Sequence, residues 1–335
     1  MALNERISSN KGKCPRCETW AKCESEKRHE VEFSKGLYQE SEEMTMSKFD
    51  VAKMVTDRII EQMESGQIPW EKPWVGTNGA WSRSTGKYYS LLNQLMLPAG
   101  EYATIKQINE AGGKVNKGSK AKQVVFWKML KKTETNDAGE EVEKTIPILR
   151  YYNVFNVETD TNLEVKHEKV IEPSGVDPIE GLENIKNDYC ERGAVTFDEE
   201  RGDRAFYAPM IHRVVVPEKA QFENVAEYYS TVFHELGHST GHHTLLGRID
   251  PSHVSAFGSD DYSREELVAE LTACAVLANT GVETSSSVRN NTAYIQSWVR
   301  ALKEDAKAIV WASSRAQKAY NLIMNIEEES ESADE

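Results

Sequence analysis

Two histidines four residues apart, with a glutamate between them, limit this chain more than anything else in it. The string is His234-Glu235-Leu236-Gly237-His238, inside a stretch of about 224–240 whose apolar spacing predicts a helix. Residues four apart on a helix lie one above the other. Both imidazoles can therefore reach one cation, with Glu235 beside them and able to touch a water held there. That is the working arrangement of a zinc hydrolase, most often a peptidase. The string alone also arises by chance on ordinary amphipathic helices, so further ligands have to be found.

A catalytic zinc site takes a third protein ligand and keeps one position open. One candidate is a histidine in the longer pattern H-E-x-x-H-x-x-G-x-x-H. Gly241 falls in place, but the last position is Thr244, and His242 and His243 are out of register. The other candidate is a glutamate on the next predicted helix, 263–279, where Glu266 and Glu270 lie one turn apart. We assign Glu266 to the metal and Glu270 to the outer nitrogen of a ligand histidine, which fixes its tautomer. Glu265, on another face, is the fallback. Zinc lowers the pKa of its water to about 7. Glu235 then accepts the proton as general base and returns it to the leaving amine. The strand expected over 213–216 is the candidate for pairing with a peptide, and Tyr207 and Tyr262 are the oxyanion candidates. Imidazole and carboxylate ligands also accept manganese or cobalt.

At 335 residues the chain is too long for one small core, so two domains are expected. Its net charge of -14 argues against polyanion binding by the surface as a whole. Residues 1–13 are polar, unlike a signal peptide, and no apolar run approaches a membrane span. Five cysteines make an odd set for disulfides, which points to a reducing cytoplasm. The expected fold class is α+β. A polar extension over 1–45 precedes a mixed α/β domain over 46–160. A linker over 161–176, the metal domain over 177–326 and an acidic tail over 327–335 follow. Expected elements include helices over 47–65, 104–111 and 292–326, strands over 123–129 and 150–157, and a charged hairpin tip over 131–143. Short strands are expected over 194–197, 205–207 and 213–216.

Eight lysines crowd the interval 106–132, among them Lys114, Lys117, Lys120 and Lys122, with Glu110 the single acid. Trp70, Trp74, Trp81, Tyr88, Tyr89, Phe126 and Trp127 flank or interrupt them. Lysines with stacking rings suit a single-stranded nucleic-acid groove. A solvated basic face over an aromatic core is the competing reading, and a bare lysine run favours it. Near the N-terminus, Cys14, Cys17, Cys23 and His29 have spacing compatible with a Cys3His zinc knuckle. A tail with reactive thiols is the alternative.

Several motifs, in order, resemble the ArdC-type antirestriction proteins. They include Asp57-Arg58-Ile59-Ile60, Glu64-Ser65-Gly66, Pro69-Trp70-Glu71-Lys72-Pro73-Trp74 and Ser84-Thr85-Gly86-Lys87-Tyr88-Tyr89. Gly112-Gly113-Lys114-Val115-Asn116-Lys117-Gly118 and Val154-Phe155-Asn156-Val157 continue the likeness, as do segments 202–207, 227–229, 234–241, 265–270 and 294–302. The similarity covers roughly 48–326. It implies an N-terminal single-stranded-DNA-binding domain and a C-terminal zincin-like metallopeptidase domain. Such proteins are carried by plasmids, phages and other mobile elements, and are associated with protecting incoming DNA. By this resemblance Trp70, Trp74, Lys87, Tyr88, Lys114, Lys117, Lys120, Lys122 and Trp127 belong to the DNA-binding domain. His234, Glu235 and His238 belong to the metal site. The extension before residue 45 departs from the family, and His212 stands where a polar acidic residue is expected.

Overall fold

The computed structural model describes residues 50–71, 79–135, 141–169, 177–250, 260–282 and 292–327. Helix α1 (Val51–Glu64) forms where apolar residues recur every fourth position, burying Val55, Ile59 and Met63. It closes as a Schellman turn. Gln67 N–H donates to the Gln62 carbonyl, Gly66 N–H donates to that of Met63, and Gly66 takes φ +86°.

Four strands follow: β1 (Ala80–Ser82), β2 (Gly100–Ala103), β3 (Lys122–Thr135) and β4 (Glu141–Asn156). They form one sheet in the order β1-β2-β4-β3. Helix α2 (Leu91–Met96) precedes β2, and α3 (Ile105–Glu110) opens on a Thr104–Gln107 capping box. The hairpin tip expected over 131–143 is mostly strand. β3 and β4 stay paired as far as Thr135 and Glu141, because cross-strand pairing overrides the weak strand preference of these lysines and glutamates. Residues 136–140 lie outside the described chain.

After α4 (Val157–Asp160), residues 161–169, expected to begin the linker, are fastened to the first half. Fully buried Glu101 pairs with Arg83 and accepts the N–H groups of Lys166 and His167. Leu163 packs beside Ala103 and Ile108.

Helix α5 (Pro178–Arg192) starts as its sequence predicts. Asp177 accepts the N–H of Ile179 and Glu180, and Pro178 opens the first turn. Strands β5 (Thr196–Glu200), β6 (Phe206–Ala208) and β7 (Arg213–Pro217) make a second sheet in the order β5-β7-β6. β7 is the middle strand, parallel to β5 and antiparallel to β6. The strand expected to receive a peptide is thus bonded on both sides, and β6 is an outer strand instead. Helices α6 (Val225–Ser239), α7 (Asp260–Thr280), α8 (Thr292–Glu304) and α9 (Ala308–Ile323) complete the fold. The single helix expected over 292–326 is broken because the Asp305 side chain accepts the Lys307 N–H, competing with the helical ladder.

Over 267–277, α7 is buried on every side and apolar except for Glu270 and Thr272. Leu267, Leu271 and Cys274 share a core with Val55, Ile59, Trp70, Leu95, Leu302 and Ile309. Ala273, Val276 and Leu277 join another with Tyr228, Val232 and Phe233. The architecture is α+β, and α1 and α2 share their core with α7, α8 and α9.

Candidate metal centre

The site lies between α6 and α7. Asn224 caps α6 by accepting the Glu227 N–H. At Gly237 a β-carbon would stand 3.0 Å from Ala269 Cα and 3.2 Å from its carbonyl oxygen. The missing side chain lets the helices approach until carboxylates of α7 reach imidazoles of α6.

His234 Nε2 and His238 Nε2 are 3.2 Å apart, and the two Glu266 oxygens lie 3.4 Å and 3.5 Å from them. A tetrahedral ion with ligand atoms at about 2.0–2.1 Å spaces those atoms about 3.3 Å from one another. The triangle therefore fits a first-row divalent cation. Among the described residues, His234, His238 and Glu266 are the one group of three such side chains that converges this way. The outer ring nitrogens face carboxylates too. His234 Nδ1 is 3.4 Å from Glu270, and His238 Nδ1 is 3.6 Å from Glu265. Glu265, the fallback ligand, stands outside the triangle, on the outer side of His238.

Burial disfavours charge on His234, but Glu266 and Glu270 outweigh it and raise its pKa to about 10. His238 is also raised: burial opposes its charge, and Glu265 and Glu266 overcome it. Burial would raise Glu266, yet the two rings hold it well below the usual carboxylate range. Glu235 behaves differently. Burial pushes its carboxyl up, against the pull of the two histidines. A carboxyl raised in this way exchanges a proton more readily near neutral pH. The Tyr207 hydroxyl lies 2.8 Å from His212 Nδ1, while His212 Nε2 faces the Gly193 carbonyl at 2.9 Å. A carbonyl only accepts, so Nε2 carries the ring proton and Tyr207 donates to Nδ1. The proton of this oxyanion candidate is thus already engaged. His212 in turn stacks on His242 at 3.9 Å.

Residues 186–315 match the zincin-like metallopeptidase family, and residues 49–155 match the N-terminal domain of the anti-restriction factor ArdC. The crystal structure of metal-free antirestriction ArdC from plasmid R388 is 31% identical. The match covers 83% of this chain and 98% of that one, with a TM-score of 0.62. The chain belongs to the ArdC antirestriction family. The Mn(II)-bound crystal structure of R388 ArdC matches at 30% identity with the same TM-score of 0.62. A DNA primase TraC of Escherichia coli is 30% identical over 314 residues, 87% of this chain and 21% of that protein. A second TraC from the same species is 32% identical over 299 residues. The chain spans 21% and 27% of the length of the two TraC proteins. The uncharacterized protein y4eC of Sinorhizobium fredii is 27% identical over 286 residues, 80% of this chain and 90% of that protein.

Within the ArdC N-terminal match, Trp127 and Tyr88 are exposed, as are Lys87, Lys114, Lys117 and Lys120. Lys122 is engaged elsewhere, its Nζ 3.0 Å from Asp160. Trp70 is a correction. Its ring has 0% exposure and meets Trp298 edge-on in the core, so neither face can stack on a base. Trp74, Cys14, Cys17, Cys23 and His29 lie outside the described residues. Strand register supplies the partners on β4, Lys144, Arg150 and Tyr152, that sequence reading missed. Val124 stands opposite Tyr152, Phe126 opposite Arg150, Lys128 opposite Ile148 and Lys132 opposite Lys144. Alternate residues share a face, so these side chains line one side of the β3–β4 ribbon. The Phe126 and Tyr152 rings lie 5.5 Å apart. Residues 146–152 are apolar or aromatic on both faces apart from Arg150, so no alternation in the sequence points to this face. No helix among the described residues is long and apolar enough to cross a membrane.

Proposed function

We propose that this antirestriction-family chain holds single-stranded DNA on its first half and cleaves a peptide bond at a zinc site on its second. The carrying observation is the triangle of His234 Nε2, His238 Nε2 and the Glu266 carboxylate, with the raised carboxyl of Glu235 beside it. Bound zinc supplies a Lewis acid and acidifies a water. His234, His238 and Glu266 would hold the ion, and His234 Nδ1–H donates to the Glu270 carboxylate, which fixes the tautomer. Glu235 accepts a proton from the attacking water and passes it to the leaving amine. β6 is an outer strand, and an extended peptide added to its open edge is the candidate substrate path.

The DNA reading is supported by Lys128, Lys144 and Arg150, which share a ribbon face with Phe126 and Tyr152. Lys114, Lys117 and Lys120 stand exposed on the approach to β3. Together they offer phosphate contacts and stacking rings. The protein is read as cytoplasmic in the host cell, with an unidentified protein substrate.

Replacing Glu235 with Gln tests the reading. Zinc content and single-stranded-DNA affinity should stay unchanged, while peptide hydrolysis falls roughly 100- to 10,000-fold. Protection against restriction that survives this substitution would favour a DNA-binding shield with a purely structural metal site.

A further inference from the structure

We infer that Arg248 is a positioning residue for the cation site: it holds the Glu265 carboxylate against Nδ1 of His238 and so keeps that ring's Nε2 turned to the ion. The inference rests on reading His234, His238 and Glu266 as the cation ligands. Beyond α6 the chain folds back through tight turns. Leu246 N–H donates to the Thr240 carbonyl, Gly247 N–H to that of His242, and Ile249 N–H to that of Gly241. These bonds return Arg248 to the end of α6.

There the guanidinium is held on every side. Nη1 donates to Thr240 Oγ1 at 2.9 Å, and Nη2 to the Gly237 carbonyl at 3.0 Å. That carbonyl belongs to the last turn of α6, where acceptors are left over and positive charge is favoured. Nε and Nη2 grip Glu265 at 3.1 Å and 2.8 Å, and the arginine side chain is only 6% exposed. A planar fork of this kind sets direction as well as distance, and lysine has no equivalent plane. Held this way, Glu265 stands 3.6 Å from His238 Nδ1. That is longer than a hydrogen bond but a small side-chain rotation from one.

The two rings are treated alike. Each turns Nε2 toward Glu266 and Nδ1 toward another carboxylate, Glu270 for His234 and Glu265 for His238. A carboxylate that accepts a hydrogen bond from Nδ1–H keeps the proton there and leaves the Nε2 lone pair for the metal. Glu265 and Glu266 are neighbours of the same charge on α7. Arg248 offsets one of them and leaves the other to face the ion.

The test uses the full-length chain stripped by a chelator and titrated with zinc, in competition with a chromophoric chelator, and separately with cobalt. Glu265→Gln and Arg248→Met should each weaken zinc binding roughly 10- to 100-fold. Both should shift the visible absorption of the cobalt-loaded protein. The double variant should be no worse than the poorer single one, since both act through one contact. Arg248→Lys keeps the charge but loses the fork, and should bind zinc like Arg248→Met. If Arg248→Met does not fold, Glu265→Gln and Arg248→Lys decide. Variants that melt earlier yet keep wild-type zinc affinity and cobalt spectrum overturn the inference and leave the metal site standing. A wild-type chain that takes up no zinc, or one in which His238→Ala binds as tightly, removes the metal site itself.

Discussion

The metal centre and the β3–β4 ribbon are built in opposite ways. At the centre, side chains of two adjoining helices converge within a few ångströms, mostly buried, each ring meeting carboxylates through both nitrogens. On the ribbon, rings and cations stand in solvent, and backbone pairing sets their order. Side chains that converge on one ion lose their value when misplaced by an ångström, so their supports are packed and paired. Under the proposed function, a strand of any sequence has to be accepted as it comes, which suits exposed and adaptable contacts.

Changes on the ribbon should move DNA affinity and nothing else, and the largest effect is expected there. Converting Lys128, Lys144 and Arg150 together to glutamine removes three charges. At about −0.7 per phosphate contact, the slope of log affinity against log salt for single strands should flatten by about 2. Zinc uptake should stay as it was. An unchanged slope rejects this face as the DNA contact, and altered zinc uptake breaks the separation of the two regions.

The centre should answer to helix spacing. Gly237→Ala pushes a methyl against Ala269 and should destabilise the fold by about 1–3 kcal/mol, as overpacking does. Zinc affinity should fall with it, because Glu266 and Glu270 retreat from the rings. Thermal melting and zinc titration of one preparation check both, and a variant that loses neither shows that close approach is not what assembles the site.

The smallest effect is protonic. In chelator-stripped protein, His234 is raised from 6.5 to about 10, against burial, by Glu266 and Glu270. A histidine raised on folding contributes stability that is fully present below about 6.5 and is lost as pH rises through about 10. Zinc displaces the same protons, so its affinity should climb across that window. Uptake near about pH 8 should release at least one proton, read as a buffer-dependent heat in calorimetry. Proton-neutral uptake would mean that the carboxylates do not hold the rings charged.

Local rules made part of this molecule readable in advance. His234 and His238 follow from helical spacing, and Glu266 and Glu270 from the one-turn separation on the next helix. Arg248 obeys no spacing rule. It reaches Glu265 only through the turns of 240–249, which depend on hydrogen bonds no periodicity announces. Arg150 and Lys144 join Phe126 through strand register, a long-range property. Trp70 sits between prolines, where a tryptophan by itself reads more often as core; the family resemblance points to a platform, and packing against Trp298 decides for the core. The break at Asp305 is an exchange between a side-chain and a backbone hydrogen bond, too small to disturb the apolar period around it.

Val55, Ile59, Leu95 and Trp70 lean on Leu267, Leu271 and Ile309, so neither half of the chain can be removed without wetting the face it leaves behind. A fragment ending near residue 160 would expose an oily flank and clump, whereas two matching fragments mixed together would have reason to find each other. A TraC protein carries a counterpart to 87% of this chain inside a much longer one, so there the two halves stay together.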